Sequence, residues 1–146
     1  MNILSLDVAT HTGWATASGS GVWDLSVKKD ESKGMKLIRF KSKVREICES
    51  EKIDVVVFER TAGFHKNALI VQAELHGVLK LFLEEMNIQY KAYSAAEIKK
   101  FATGKGNANK QKMIEAAQKY GIEIIDDNHA DALHIYHLAL QDFKFV

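Results

Sequence analysis

Three carboxylates stand out by position. Asp7 closes a short apolar run that begins at Asn2, Glu59 closes the β-branched run Ile53-Asp-Val-Val-Val-Phe-Glu59, and Asp131 opens the last helical segment just after Asp126-Asp-Asn-His129. An acid at the end of a buried strand is costly, because clustered carboxylates repel one another and lose solvation. A divalent cation removes both penalties. Oxygen-only ligands without cysteine suit Mg²⁺ or Mn²⁺. Carboxylates that bridge two such ions about 3.5 to 4 Å apart can activate water and stabilise a leaving oxygen, which is what phosphodiester cleavage requires. Each acid also has a plainer reading. Asp7 can begin a turn, Glu59 can pair with Arg60, and Asp131 can sit at N3 of a capping box whose N-cap is Asn128.

The metal reading needs the three acids at one place, so the elements that carry them matter. Residues 2–7, 12–17 and 21–27 predict three strands separated by Gly and Ser turns, an antiparallel meander. Leu37, Phe40, Val44, Ile47 and Cys48 recur at helical spacing with lysines and arginines between them, which predicts an amphipathic helix from about Gly34 to Lys52. The run 53–59 is too continuously apolar for an exposed strand and predicts a central one, joined to the first strand by a right-handed parallel crossover. Strand ends of an open α/β sheet form its sites, so Asp7 and Glu59 can share one crevice.

A longer helix is expected from about Asn67 to Met86, with one apolar stripe through Leu75 and Leu79 and a second through Ile70, Ala73, Gly77 and Leu81. Two apolar faces need two partners. The second is either covered by another helix of this chain or is a subunit contact. Residues 88–93 predict a fifth strand, and Ser94 with Glu97 matches a capping box for a helix over 95–102. A helix from Lys110 to Tyr120 stops at Gly121, and a last one runs to about Phe143. The expected fold is a single α/β domain over 1–146, a five-stranded mixed sheet with helices on both faces.

Composition narrows the class. With 47% hydrophobic and 27% charged residues the chain is neither disordered nor membrane-spanning, and no secretory signal is visible, so a cytoplasmic protein is expected. Its single cysteine, Cys48, excludes an internal disulfide and a cysteine zinc site. The net charge of +1 conceals segregation: residues 28–45 hold eight Lys or Arg against two acids, and residues 99–119 hold six against one. Two basic segments beside an acidic remainder suit a polyanion bound around the carboxylates, or are simply solvated helix faces.

Leu4-Ser-Leu-Asp7 with Thr12-Gly13-Trp14-Ala15, then Val56-Val-Phe-Glu59, then Thr103-Gly-Lys-Gly-Asn-Ala-Asn-Lys110, then His129-Ala-Asp-Ala-Leu133 resembles, in order and over nearly the whole chain, the RuvC-type Holliday-junction resolvases of the RNase H-like superfamily. The resemblance implies an RNase H-like fold, with Asp7, Glu59 and Asp131 as metal-binding catalytic acids and Lys110 as a basic catalytic residue contacting phosphate near the metals. It further implies that Phe64 probes base stacking at the crossover, and that Lys105, Lys110 and Lys112 contact DNA. The helix containing Gly77 resembles the family's dimer helix.

Two positions depart from the family pattern. Val8-Ala9 replaces its Pro-Gly, and Asn128 stands where a fourth acidic or histidine ligand is usual. Asp127 is preferred for that ligand on charge, with Asn128 competing. The activity implied is a Mg²⁺-dependent endodeoxyribonuclease, with two ions per site and Mn²⁺ as a substitute. A homodimer would resolve four-way or branched DNA by paired nicks, leaving 5′-phosphate and 3′-hydroxyl ends. The rivals are a nuclease of the same fold acting on RNA-DNA hybrid or structured RNA, and a non-cleaving junction-binding protein.

Overall fold

The computed structural model describes residues 1–61 and 66–144. Five strands, β1 (Ile3–Asp7), β2 (His11–Ala15), β3 (Ser20–Asp24), β4 (Val55–Glu59) and β5 (Gln89–Tyr93), form one sheet in the order β3-β2-β1-β4-β5. The first three are the expected antiparallel meander, while β1 with β4 and β4 with β5 run parallel.

The helices divide between the faces. α1 (Met35–Ser50) and α2 (Lys66–Glu85) pack together on one side, over a core containing Leu4, Leu6, Phe40, Val56, Phe58 and Leu79. α3 (Ala95–Thr103), α4 (Lys110–Ala117) and α5 (Asp127–Phe143) cover the other, over Ile3, Val55, Val57, Ile98, Met113 and Ile135. Successive strand residues point to opposite faces, so these two lists alternate along β1 and β4. Continuing the alternation by one residue assigns Asp7 and Glu59 to the α5 face.

Local chemistry sets most boundaries. Ser94 and Glu97 make the expected reciprocal capping box at the start of α3. The helix from Lys110 ends earlier than periodicity suggests: α4 stops at Ala117 and a 3₁₀ turn, Gln118–Tyr120, closes on Gly121 at φ +71°. On α2, Leu75, Leu79 and Phe82 are buried, whereas Ile70, Ala73, Gly77 and Leu81 are all exposed. Among the described residues nothing lies within 4 Å of where a Cβ at Gly77 would be, and with its neighbours exposed too, no described helix covers the second stripe. No helix among the described residues is long and apolar enough to cross a membrane.

Candidate active site

The parallel register pairs Leu6 with Phe58, and Asp7 and Glu59 are the next residue on each strand. α5 delivers the third acid. Its N-terminal end lies against β2 at Gly13, where a Cβ would be 1.9 Å from the Asn128 carbonyl oxygen, so only a residue without one admits the helix. Ser5 Oγ, buried on β1, donates to the Ala132 carbonyl at 2.7 Å and fixes α5 beside Asp131.

The start of α5 differs from expectation. Asp126, not Asn128, is the N-cap, its side chain accepting the His129 backbone N–H at 2.8 Å. His129 is buried, accepts the Ile125 N–H at Nδ1 (3.0 Å) and lies 2.8 Å from Ser20 Oγ through Nε2. These contacts draw the helix start two residues earlier than side-chain preference alone predicts. The capping-box reading of Asp131 therefore fails, and Asp127 becomes the first helical residue, one turn before Asp131 on the same face.

The electrostatics are those of acids held together with only partial compensation. Burial, then the charges of Asp131, Glu59, Asp127 and Asp126, hold the Asp7 carboxyl well above the usual range. Burial, with Glu59 and Asp127 adding, pushes Asp131 up to about 7 against the opposing pull of Lys99 and Lys110. Burial also raises Glu59, again opposed by Lys99. Arg60 does not relieve Glu59; it pairs with Glu97 at 3.7 Å. Asp131 Oδ1 is buried with no hydrogen-bond partner among the described residues. A buried, unpartnered carboxylate oxygen among like charges is a site that gains from a cation. Among the described residues no three His, Cys, Asp or Glu side chains have converged far enough to cage a metal ion by themselves. The donor set is carboxylate oxygen, which fits a hard divalent cation.

The basic residues separate. Lys110, at the first position of α4, reaches Asp127 at 3.5 Å while its side chain stays 86% exposed. Lys105 and Lys112 line a depression with Thr103, Asn107 and Asn109, on the α3–α4 connection. Phe64 lies outside the described residues. Lys99, half-buried on α3, acts on both Glu59 and Asp131 and was not singled out by spacing; its only sequence signal was membership of the second basic segment.

The sequence pattern of a family described as crossover junction endodeoxyribonuclease RuvC matches residues 13–137. The chain belongs to that family. A RuvC of Ehrlichia canis (strain Jake) is 32% identical over 130 residues, covering 82% of this chain and 81% of its own. The Thermus thermophilus RuvC structure superposes with a TM-score of 0.77 at 19% identity over 99% of this chain and 97% of that one. The same protein in complex with Holliday junction substrate gives 0.75 at 19% identity, over 92% and 90%. The RuvC family is metal-dependent, in agreement with the raised carboxyls of Asp7, Glu59 and Asp131.

Proposed function

We propose that this chain, as one nuclease domain, is a metal-dependent endonuclease that resolves four-way DNA junctions. The carrying observation is the buried Asp131 oxygen, without a hydrogen-bond partner among the described residues, beside Asp7 and Glu59 in a chain of the crossover junction endodeoxyribonuclease family. Asp7, Glu59, Asp131 and Asp127 would hold the cation, with Asn128 the weaker candidate. When bound, Mg²⁺ ions, two in this reading and replaceable by Mn²⁺, supply a hydroxide nucleophile at neutral pH and charge neutralisation at the leaving oxygen.

The chain's own residues do the rest. Strand register fixes the backbones of Asp7 and Glu59, and Ser5 and Gly13 hold α5 against the sheet, so the acids close on a cation by side-chain movement on a fixed backbone. Lys110 offers a phosphate-binding ammonium at the rim, and Lys105 on the α3–α4 connection and Lys112 on α4 add to that positive surface. Phe64, outside the described residues, is assigned to base stacking at the crossover on the resemblance to the family alone. The products are 5′-phosphate and 3′-hydroxyl ends.

Junction resolution takes two nicks in strands of like polarity, and a two-fold dimer supplies two related sites. The uncovered stripe Ile70, Ala73, Gly77 and Leu81 on α2 is the surface that would pair. Cleavage of an RNA-DNA hybrid needs no such pairing, so this stripe favours the junction. The test compares a four-way junction, a linear duplex, a flap and an RNA-DNA hybrid with Mg²⁺. The junction should be cut at symmetric positions and the others poorly; preferential cutting of the hybrid would overturn the reading.

A further inference from the structure

The first basic segment, residues 28–45, takes no part in the acid pocket, yet it emerges at the same end of the sheet. β3 runs parallel to β1, both being antiparallel to β2, so the loop after Asp24 and the start of α1 leave the sheet on the side where Asp7 ends. The loop is built rather than loose. Glu31 accepts the Lys28 backbone N–H at 2.8 Å and pairs with the Arg39 guanidinium, whose Nη1 also donates to the Ser26 carbonyl at 3.2 Å.

With Glu31 and Arg39 spent on each other, Lys28, Lys29, Lys33 and Lys36 form no ion pair with any acid among the described residues. Lys36 is the informative one. It is half-buried in the first turn of α1, where a cation opposes the helix dipole, so helix stability does not explain it. Its Nζ donates to Thr10 Oγ1 at 3.0 Å, a neutral partner three residues beyond Asp7. An ammonium has three donors, and this contact uses one.

Two depressions meet here. One is lined by Thr10, Asn67, Gln72 and Asn128, the residue after Asp127; the other by Lys33, Lys36 and a single acid, Glu74; Val71 is common to both. Together they form a track from Asn128, the neighbour of Asp127 in the chain, past Asn67, Gln72 and the apolar Val71 and Leu37, to two lysines.

We propose that this track carries the cleaved DNA strand on one side of the scissile phosphate, with Lys36 holding a neighbouring backbone phosphate and Asn67, Gln72 and Asn128 lining the nucleotide between. The division of labour is the usual one, cations on phosphates and amides on bases. The proposal rests on the junction reading above and adds the route the strand takes.

The test neutralises phosphates one at a time. Four-way junctions carrying a single methylphosphonate at each of three linkages on either side of the cut are bound by the full chain bearing Asp7→Asn, which leaves the DNA intact. One flanking linkage should weaken binding about fivefold, as loss of one phosphate contact at moderate salt does. The same linkage should cost less than twofold when Lys36→Met is added, and Lys36→Arg, which keeps the charge, should restore the sensitivity. Equal profiles with and without Lys36→Met would overturn the track while leaving junction recognition standing. No preference of the Asp7→Asn chain for a junction over duplex would overturn the junction reading and the track with it.

Discussion

Gly13 on β2 and Asn128 on α5 are in backbone contact: a methyl group at position 13 would sit 1.9 Å from the Asn128 carbonyl oxygen and 3.0 Å from the His129 nitrogen. The backbone on both sides leaves no flexible side chain to yield. Gly13→Ala should therefore push the α5 start off the sheet and displace Asp127 and Asp131 together. Overpacking of this kind typically costs about 1 to 3 kcal/mol. The expected result is a lowered Tm together with at least a tenfold loss of cleavage at saturating Mg²⁺; Ala at Gly77, where nothing is within 4 Å, should leave the fold of the protomer unperturbed.

Asp131 links stability to pH in the metal-free protein. Its carboxyl is pushed up to about 7 in the fold, mainly by burial, against about 3.9 when unfolded. Between those values the folded state holds a proton that the unfolded state has released, so stability is greatest below the window and falls as pH rises through it. At pH 8 in chelator, Asp131→Asn should be the more stable protein, on the order of 2 kcal/mol or about 4 to 8 °C in Tm. Added Mg²⁺ should raise the Tm of the unmutated chain and reverse the ranking. Thermal melts at pH 5 and pH 8, with and without Mg²⁺, check both signs.

The fourth ligand separates by substitution. Asp127 is one helical turn before Asp131 and acts on both Asp7 and Asp131, whereas Asn128 spends its backbone on Gly13 and lines the neighbouring depression. Asp127→Asn should raise the Mg²⁺ concentration for half-maximal cleavage several-fold, and Asn128→Ala should leave it within about twofold. The reverse pattern in a Mg²⁺ titration would exchange their roles.

Much of this arrangement was legible before the fold. The apolar run ending at Glu59, the Ser94 and Glu97 box and the two stripes of α2 are local signals, and each produced the element expected. What sequence hid was tertiary. Asp126, Asp127 and Asn128 are all good helix caps, and the choice fell to buried His129, whose Ile125 and Ser20 contacts no spacing rule contains. Lys99 was hidden in the same way, because a lysine after buried Ile98 reads as helix surface until the acids are placed opposite. Arg60 was the attractive neighbour of Glu59 in sequence, but it pairs with Glu97 instead.

Lys110 tests the rim. It is exposed and 3.5 Å from Asp127, a position from which it can leave the acid for a phosphate. Each phosphate neutralised contributes about −0.9 to the log-log salt slope on duplex DNA. Lys110→Ala should make the slope of junction binding shallower by about one unit, and an unchanged slope would remove Lys110 from the interface.

The dimer is expected to form through α2. Leu81 is 60% exposed and Ile70 47% exposed, on the stripe that also holds Ala73 and Gly77. Gly77→Leu should separate paired helices, shifting light-scattering mass from dimer toward monomer and abolishing paired nicking while leaving protomer Tm within a few degrees. A wild-type monomer at micromolar concentration would contradict the dimer.

If Asp7, Glu59 and Asp131 serve chemistry and do not hold the sheet and α5 together, a change at Asp7 separates cleavage from binding. Cleavage and binding of one four-way junction, measured in parallel with Mg²⁺ for the unmutated chain and for Asp7→Asn, decide it most directly. Asp7→Asn should eliminate cleavage while binding stays equal or tightens, because a charge that repels phosphate has been removed from a folded site. Loss of binding in step with cleavage, or cleavage that persists, would contradict it.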